Sequence, residues 1–517
     1  MALSDELNLE LAWRRVCLDQ QNHVFVNRAF ERELVEIDSE EWRKTIAIDD
    51  YTPHSQQYCD VPKKGFTIRP GCMLRLEDQL VYAALAGQLV EGIQKATSPL
   101  QGTVDFSSPV SDDPNKQEWL GGAFTGWRDF RNRSIEIIDD GAKYVVITDI
   151  SSFYDCIDIA TLSSDLRALE VASKEALGLL SKCLNKWSFC SGSGIPQGFG
   201  ASHILSKYYL SRIDESLAGK GIQHLRYSDD IHMFCGSLYE AKKAVVELAN
   251  QLRKRGLSLH SAKTKVLPAD LARLEIDGIV PALQTTLRDY VNFVEEIFGS
   301  NYLTLQEAEN RIAKNPDNAP VEILEGAYER YVEDTENDFN KTIFHFLLNR
   351  MKKAGCQYAL EHSIGLIHLQ PQETTAILHY VSSTSGFEKI HGELEHSLSF
   401  DNTVYGYQMY QLLCWTAEHF DKLNSDDILQ RVRNICSEGR APKYVKSVAR
   451  QILGNHGSGA DLEQIEAELN NDLAPLERAQ VAACLGRMES GKRNAVLKRL
   501  EGENELMRRA VAFSKKS

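Results

Sequence analysis

Three aspartates stand where their side chains could share divalent cations. Asp149 falls near the end of the β-branched run KYVVITDI (143–150), and Asp229 and Asp230 occupy the polar centre of HLRYSDDIHMFC (224–235). A run of that length rich in Val and Ile predicts a strand, and two short apolar runs around a polar tip predict a hairpin. A strand end beside a hairpin tip would bring Asp149 and Asp229 to one sheet edge. Like-charged carboxylates sit together comfortably only around cations, and hard Mg²⁺ favours carboxylates plus substrate oxygens. The chemistry that suits them is nucleotidyl transfer, in which two divalent ions roughly 3.5–4 Å apart serve the attacking 3′-hydroxyl and the pyrophosphate leaving group. Each segment alone is weak evidence, because an aspartate ending a strand is commonly a capped turn and Asp-Asp in a turn is commonly a solvated tip.

The elements that must position these residues follow from periodicity. Helices are predicted for 7–20, 25–35, RLEDQLVYAALAGQLVEGI (75–93), TLSSDLRALEVA (161–172, capped by Thr161 or Ser163), SHILSKYYLSRIDESLA (202–218) and LYEAKKAVVELANQLRKRGL (238–257). SGSGIPQGFG (191–200) reads as a glycine-rich loop. The order strand, helix, loop, helix, hairpin, helix predicts an α+β sheet with helices packed on one face.

Four segments in order carry a resemblance: DISSFYD (149–155), GIPQG (194–198), YSDD (227–230) and LSLHSAKTKVL (257–267). They resemble motifs A, B, C and D of reverse transcriptases, over about residues 60–275. The resemblance implies a fingers and palm fold and a DNA polymerase with two Mg²⁺ ions, Mn²⁺ being an alternative. It implies Asp149, the Ile150 carbonyl, Asp229 and Asp230 as metal ligands, and Lys263 as a proton donor to pyrophosphate. Tyr154 would be the aromatic gate that crowds a ribose 2′-hydroxyl and so selects dNTPs, with an ordinary core aromatic as the plain alternative. Gln197 and Gly198 would lie against the nascent base pair. PKKGFTIRPGCMLRLEDQLVYAAL (62–85) resembles the fingers segment, where Lys64 and Arg69 are the candidates for gripping the triphosphate and Lys63 and Arg75 compete with them. Phe199 and His203 depart from the family pattern, and His203 reads better as a helix-start residue than as a base.

After about residue 285 strand-like runs nearly vanish and helical segments recur between polar turns. APKYVKSVARQIL (441–453) and APLERAQVAACLG (474–486) look alike, each opening on Ala-Pro, and the stretch reads as an all-α array resembling HEAT repeats. A non-repetitive bundle is the alternative. Three regions are expected: an N-terminal helical extension (1–60), reverse transcriptase fingers and palm (61–280) and a helical-repeat domain (281–517). A palm followed by such an array resembles bacterial abortive-infection and defence-associated reverse transcriptases. That resemblance implies dNTPs, an RNA template or noncoding RNA, a DNA product, a homo-oligomer and, in some members, DNA primed from a protein hydroxyl. The alternatives are an RNA-binding or partner-binding scaffold on a retained palm, and a retron-like or intron-like enzyme.

Composition bounds these readings. The net charge of −15 argues against coating nucleic acid nonspecifically, although the tail 487–517 carries nine Lys and Arg against four Glu. Eleven cysteines without a CxxC pair predict free thiols and no zinc site. With no membrane-length apolar run and no signal-like start, a cytoplasmic protein without a membrane partner is expected.

Overall fold

The computed structural model describes residues 2–21, 25–122, 125–277, 281–298, 307, 310, 314, 320–334 and 339–516. Two compact units divide the chain: 1–27, 39–58 and 71–278 form one, and 28–38, 59–70 and 279–517 form the other.

In the first unit, α1 (Leu9–Gln21) and α2 (Leu76–Gly87) precede α3 (Gly126–Asp139) and β3 (Tyr144–Asp149). Between α1 and α2, β1 (Gln57–Pro62) and β2 (Ile68–Met73) pair as a two-stranded ribbon whose outer part, 59–70, groups with the second unit. The helix expected over 75–93 is two helices, α2 and Val90–Thr97, broken near Gly87. A Cβ on Gly87 would lie 2.7 Å from the Arg15 guanidinium, so glycine makes room there for α1. The helix expected over 161–172 spans Ile159–Arg167, and its cap is Asp158, which accepts from the Thr161 amide (2.6 Å).

The loop expected over 191–200 leads into α4 (Gly200–Gly219), followed by β4 (His224–Tyr227), β5 (Asp230–Cys235), α5 (Leu238–Arg253), β6 (Lys265–Pro268) and α6 (Ala269–Asp277). The strands form one sheet in the order β4-β5-β3-β6, with all neighbours antiparallel. The core over one end of this sheet joins Val145, Leu225 and Phe234 to Phe130 and Ile137 of α3 and to Ala272 and Ile276 of α6. Strand β6 escaped the sequence reading because KVLP is only four residues long and ends in proline, which a strand tolerates only at its margin.

The second unit is helical from Lys341 onward among the described residues, apart from turns. Helices Thr374–Ser383, Gly406–Leu423, Lys443–His456, Pro475–Ala483 and Glu505–Lys516 pack each on the next, with the intervening helices lying between them in sequence. Packing of every second helix is the geometry of a stacked helical-repeat array. Pro475 occupies the first helical turn of its helix, as its missing N–H allows, whereas Pro442 stands one place earlier, at the cap. The basic tail is built into this array: Met507, Arg509 and Val511 are buried, and Arg509 donates to the Asp38 carbonyl (3.1 Å). Phe513 meets Phe30 edge to face (5.5 Å). No described helix is long and apolar enough to cross a membrane.

Candidate active site

Register does most of the work of assembling the carboxylates. Asp149 is the cross-strand partner of Asp230, and Asp230 is the partner of Tyr227. Partners in an antiparallel pair project to the same face, so Asp149, Asp230 and Tyr227 form one row across three strands. Two residues, Ser228 and Asp229, close the hairpin between β4 and β5, with Ser228 in the left-handed region (φ 56°). The structure therefore brings Asp149, Asp229 and Asp230 together at one end of the sheet. Burial, then Asp229, then Asp149 push the Asp230 carboxyl up to about 6, and Lys263 pulls it back.

Asp149 is buried, and its Oδ1 is a buried oxygen without a hydrogen-bond partner. Its Oδ2 accepts from Lys263 Nζ (2.6 Å), and its carbonyl accepts from the His260 amide (2.9 Å). Ile150 bridges to Leu259, which fixes the strand end beside the turn that carries Lys263. The Lys263 side chain is 63% exposed, and its ammonium stands where a divalent ion would neutralise Asp149. Among the described residues no group of three or more His, Cys, Asp or Glu side chains is arranged to hold a metal ion by itself. Mg²⁺ is ordinarily held by one or two carboxylates and completed by water and substrate phosphates, so an open carboxylate row with an orphaned oxygen fits that ion.

Tyr154 lies in the short helix Phe153–Cys156, just after Asp149. Its hydroxyl hydrogen-bonds His203 Nδ1 (2.8 Å) and accepts from Ser206 Oγ (3.3 Å). His203 lies in the first turn of α4 with its surface exposed. The pairing joins residues 49 apart in the chain, a separation that local spacing does not reveal. The glycine-rich loop is bonded to the same turn: the Ile195 amide donates to the Tyr154 carbonyl (3.0 Å) and the Gly194 amide to the Ile157 carbonyl (2.8 Å). Gly198 has φ 96°, a conformation L side chains rarely adopt, and Gln197 beside it is half-exposed. A Cβ on Gly200 would lie 1.9 Å from the Trp119 ring, and the Gly200 amide donates to Asp19 (3.0 Å), so α1 fixes where α4 begins.

Lys64 and Arg69 stand on the β1–β2 ribbon, in the part that groups with the second unit. Lys64 opens the exposed ribbon turn, where Gly65 (φ 77°) and Phe66 (φ 59°) are left-handed. The Tyr405 hydroxyl donates to the Phe66 carbonyl there (2.9 Å).

A buried ion cluster lies behind the carboxylate row. Arg226 of β4 forks onto both oxygens of Asp214 (2.7–3.1 Å) and reaches Asp105 (2.9 Å), which also accepts from Lys207 Nζ (2.6 Å). Arg226 Nη1 donates to the Ser228 carbonyl (3.0 Å), inside the turn that presents Asp229. Burial opposes charge on Arg226, but Asp105 and Asp214 hold its pKa above the ordinary arginine range. Burial alone would raise Asp214, and Arg226 and His224 bring it below the usual carboxylate range. None of these four charged residues was singled out from sequence. The one available signal was an arginine inside a short strand run.

Residues 61–286 match the model of the family described as "Reverse transcriptase (RNA-dependent DNA polymerase)". This stretch is similar to a nucleotidyltransferase domain of the nucleic-acid polymerase kind. No curated protein matches the chain. Among solved structures, the chain is similar to a C-terminally truncated apo telomerase from Candida tropicalis, at 14% identity and a TM-score of 0.29. That match covers 41% of this chain and 49% of the other, so the chain spans about half the length of that relative. Telomerase from Candida albicans, in complex with a fragment of telomeric RNA, matches at 12% identity over 77% of this chain and 70% of that one, with a TM-score of 0.31. Apo telomerase from Candida tropicalis matches at 11% identity over 93% and 73%, with a TM-score of 0.29.

Proposed function

We propose that this chain is a DNA polymerase that adds dNTPs with two Mg²⁺ ions, Mn²⁺ serving as a substitute. The observation that carries this reading is the row of Asp149 and Asp230 beside Asp229, with an unpartnered oxygen on Asp149. Asp149, Asp229, Asp230 and the Ile150 carbonyl would hold the ions, which supply charge neutralisation at the 3′-hydroxyl and at the pyrophosphate. The chain's own groups do the rest. Lys263, paired with Asp149, would give a proton to departing pyrophosphate. Gln197 and Gly198 border the incoming nucleotide. Purified protein incubated with labelled dNTPs should incorporate label with Mg²⁺ and lose incorporation when EDTA is added. Incorporation indifferent to EDTA would overturn the two-ion site.

Tyr154 supports the choice of dNTPs. Its ring is steadied by His203 and Ser206 rather than left to swing, so it can act as a fixed steric limit. Tyr154→Ala is expected to narrow the preference for dNTP over rNTP by about tenfold to a hundredfold, the range for losing one shape contact in a pocket. An unchanged ratio of kcat/KM values removes Tyr154 from this role.

The template is RNA or none, and the role we infer is bacterial anti-phage defence. The support is the arrangement of a reverse transcriptase domain with a helical-repeat array, the pattern that resembles defence enzymes. A homo-oligomer and a noncoding RNA belong to the same reading, checked by light scattering and by sequencing co-purified nucleic acid. For priming from a protein hydroxyl, Tyr358 is 47% exposed and Tyr405 and Tyr410 are half-buried, whereas Tyr328, Tyr331, Tyr380 and Tyr407 are buried. Label that stays with the protein through denaturing electrophoresis supports such priming, and its absence removes it.

A further inference from the structure

One aromatic side chain beside the carboxylates is unused by the reading above. Trp127 lies in the first turn of α3 and is 48% exposed. Its ring meets Tyr227 edge to face, with centroids 5.2 Å apart and planes at 79°. Tyr227 is the end of the row that continues through Asp230 to Asp149. The indole is thus two side chains away from the metal-binding carboxylates on the same face of the sheet.

The fold builds this placement deliberately close. A Cβ on Gly126 would lie 2.2 Å from the Phe106 carbonyl and 3.3 Å from the Tyr227 ring, so only glycine lets α3 begin this near the hairpin. Phe130, Ser134 and Ile137 complete the buried stripe of α3, while Trp127, one turn earlier, overhangs the end of that core. The next residue, Arg128, has a side chain 68% exposed, with its Nε 3.7 Å from Asp129. An exposed indole and a tyrosine ring beside a carboxylate site, with an exposed guanidinium on the next residue of the helix, match single-stranded nucleic acid: π-faces for bases and a cation for phosphate.

We propose that Trp127 and Tyr227 form an aromatic ledge that seats the terminal nucleotide of a nucleic-acid strand next to Asp229 and Asp230, with Arg128 on its phosphate. The ledge rests on the polymerase reading for its purpose, but its binding can be measured without catalysis. Two probes distinguish the sugar: fluorescent oligothymidylate and fluorescent oligouridylate, followed by anisotropy, and both also offered as primers with dNTPs. Trp127→Ala is expected to weaken binding of the preferred oligonucleotide, and to raise its KM, by roughly tenfold to a hundredfold. KM for dNTP should stay within about twofold, since stacking acts on the strand and not on the triphosphate. Trp127→Phe, which keeps a π-face and the packing on Phe130, should recover most of the loss, a recovery that a purely structural role would tie to the thermal midpoint instead. Weakened binding in Trp127→Ala without any dNTP incorporation by wild type would leave the ledge standing and sink the polymerase reading. Wild-type affinity and primer KM in Trp127→Ala, or no binding of either oligonucleotide by wild type, would overturn the ledge.

Discussion

Asp229→Ala is expected to cut dNTP incorporation by about a thousandfold or more while leaving the fold intact. The size follows from the metal-ligand role proposed for the carboxylate. Divalent-ion stabilisation of transition-state charge is worth several kcal/mol, and about 4 kcal/mol corresponds to a factor near a thousand in rate. Asp229 is the residue of the row that packing needs least: it sits in a two-residue turn, half-exposed, outside the strand register. Its charge also pushes against Asp230, whose carboxyl is held near 6 in part by Asp229. Removing it relieves that repulsion, so the thermal midpoint should hold or rise slightly. The check is single-turnover incorporation of labelled dNTP beside a melting curve. Incorporation within tenfold of wild type would show that the hairpin tip is not the metal site, and a collapsed melting curve would show that the loss was structural.

The parts of the candidate site that sequence made legible are those whose geometry is written locally. The strand ending at Asp149, the hairpin around Asp229 and the glycine-rich loop each place their side chains through neighbours only a few residues away. Strand alternation and two-residue turns are short-range rules that a single chain displays. Lys263 was a bare lysine among others until β6, itself too short to read, set the turn that carries it to Asp149. The helical array was visible as periodicity, but its use of 28–38 against its last helix was not, because such packing joins residues at opposite ends of the chain. The same limit hid the support behind the hairpin. Asp105, Lys207, Asp214 and Arg226 come from a loop, one helix and a strand, and only the folded chain shows that their charges cancel within one buried cluster.

That cluster makes Arg226 the residue whose loss should damage the fold most and the site with it. Arg226→Met removes one cation from a group of two cations and two carboxylates, all nearly without exposure, and leaves Asp214 facing only His224. Breaking a buried ion pair from one side costs about 3–5 kcal/mol, because the remaining charge is uncompensated. For a unit of this size that corresponds to a midpoint lower by roughly 6–20 °C. Arg226→Lys should fall between, since an ammonium cannot fork across Asp214 and still reach both Asp105 and the Ser228 carbonyl. The double variant Arg226→Met with Asp214→Leu separates stability from positioning. It leaves Lys207 and Asp105 as a neutral pair, so much of the melting temperature should return. The Ser228 carbonyl would still lack its donor, and Asp229 would lose the anchor of its turn, so incorporation should remain depressed after stability has recovered. Activity that returns in step with the melting temperature would mean that Arg226 only holds the palm together; stability without activity would mean that it also aims the hairpin.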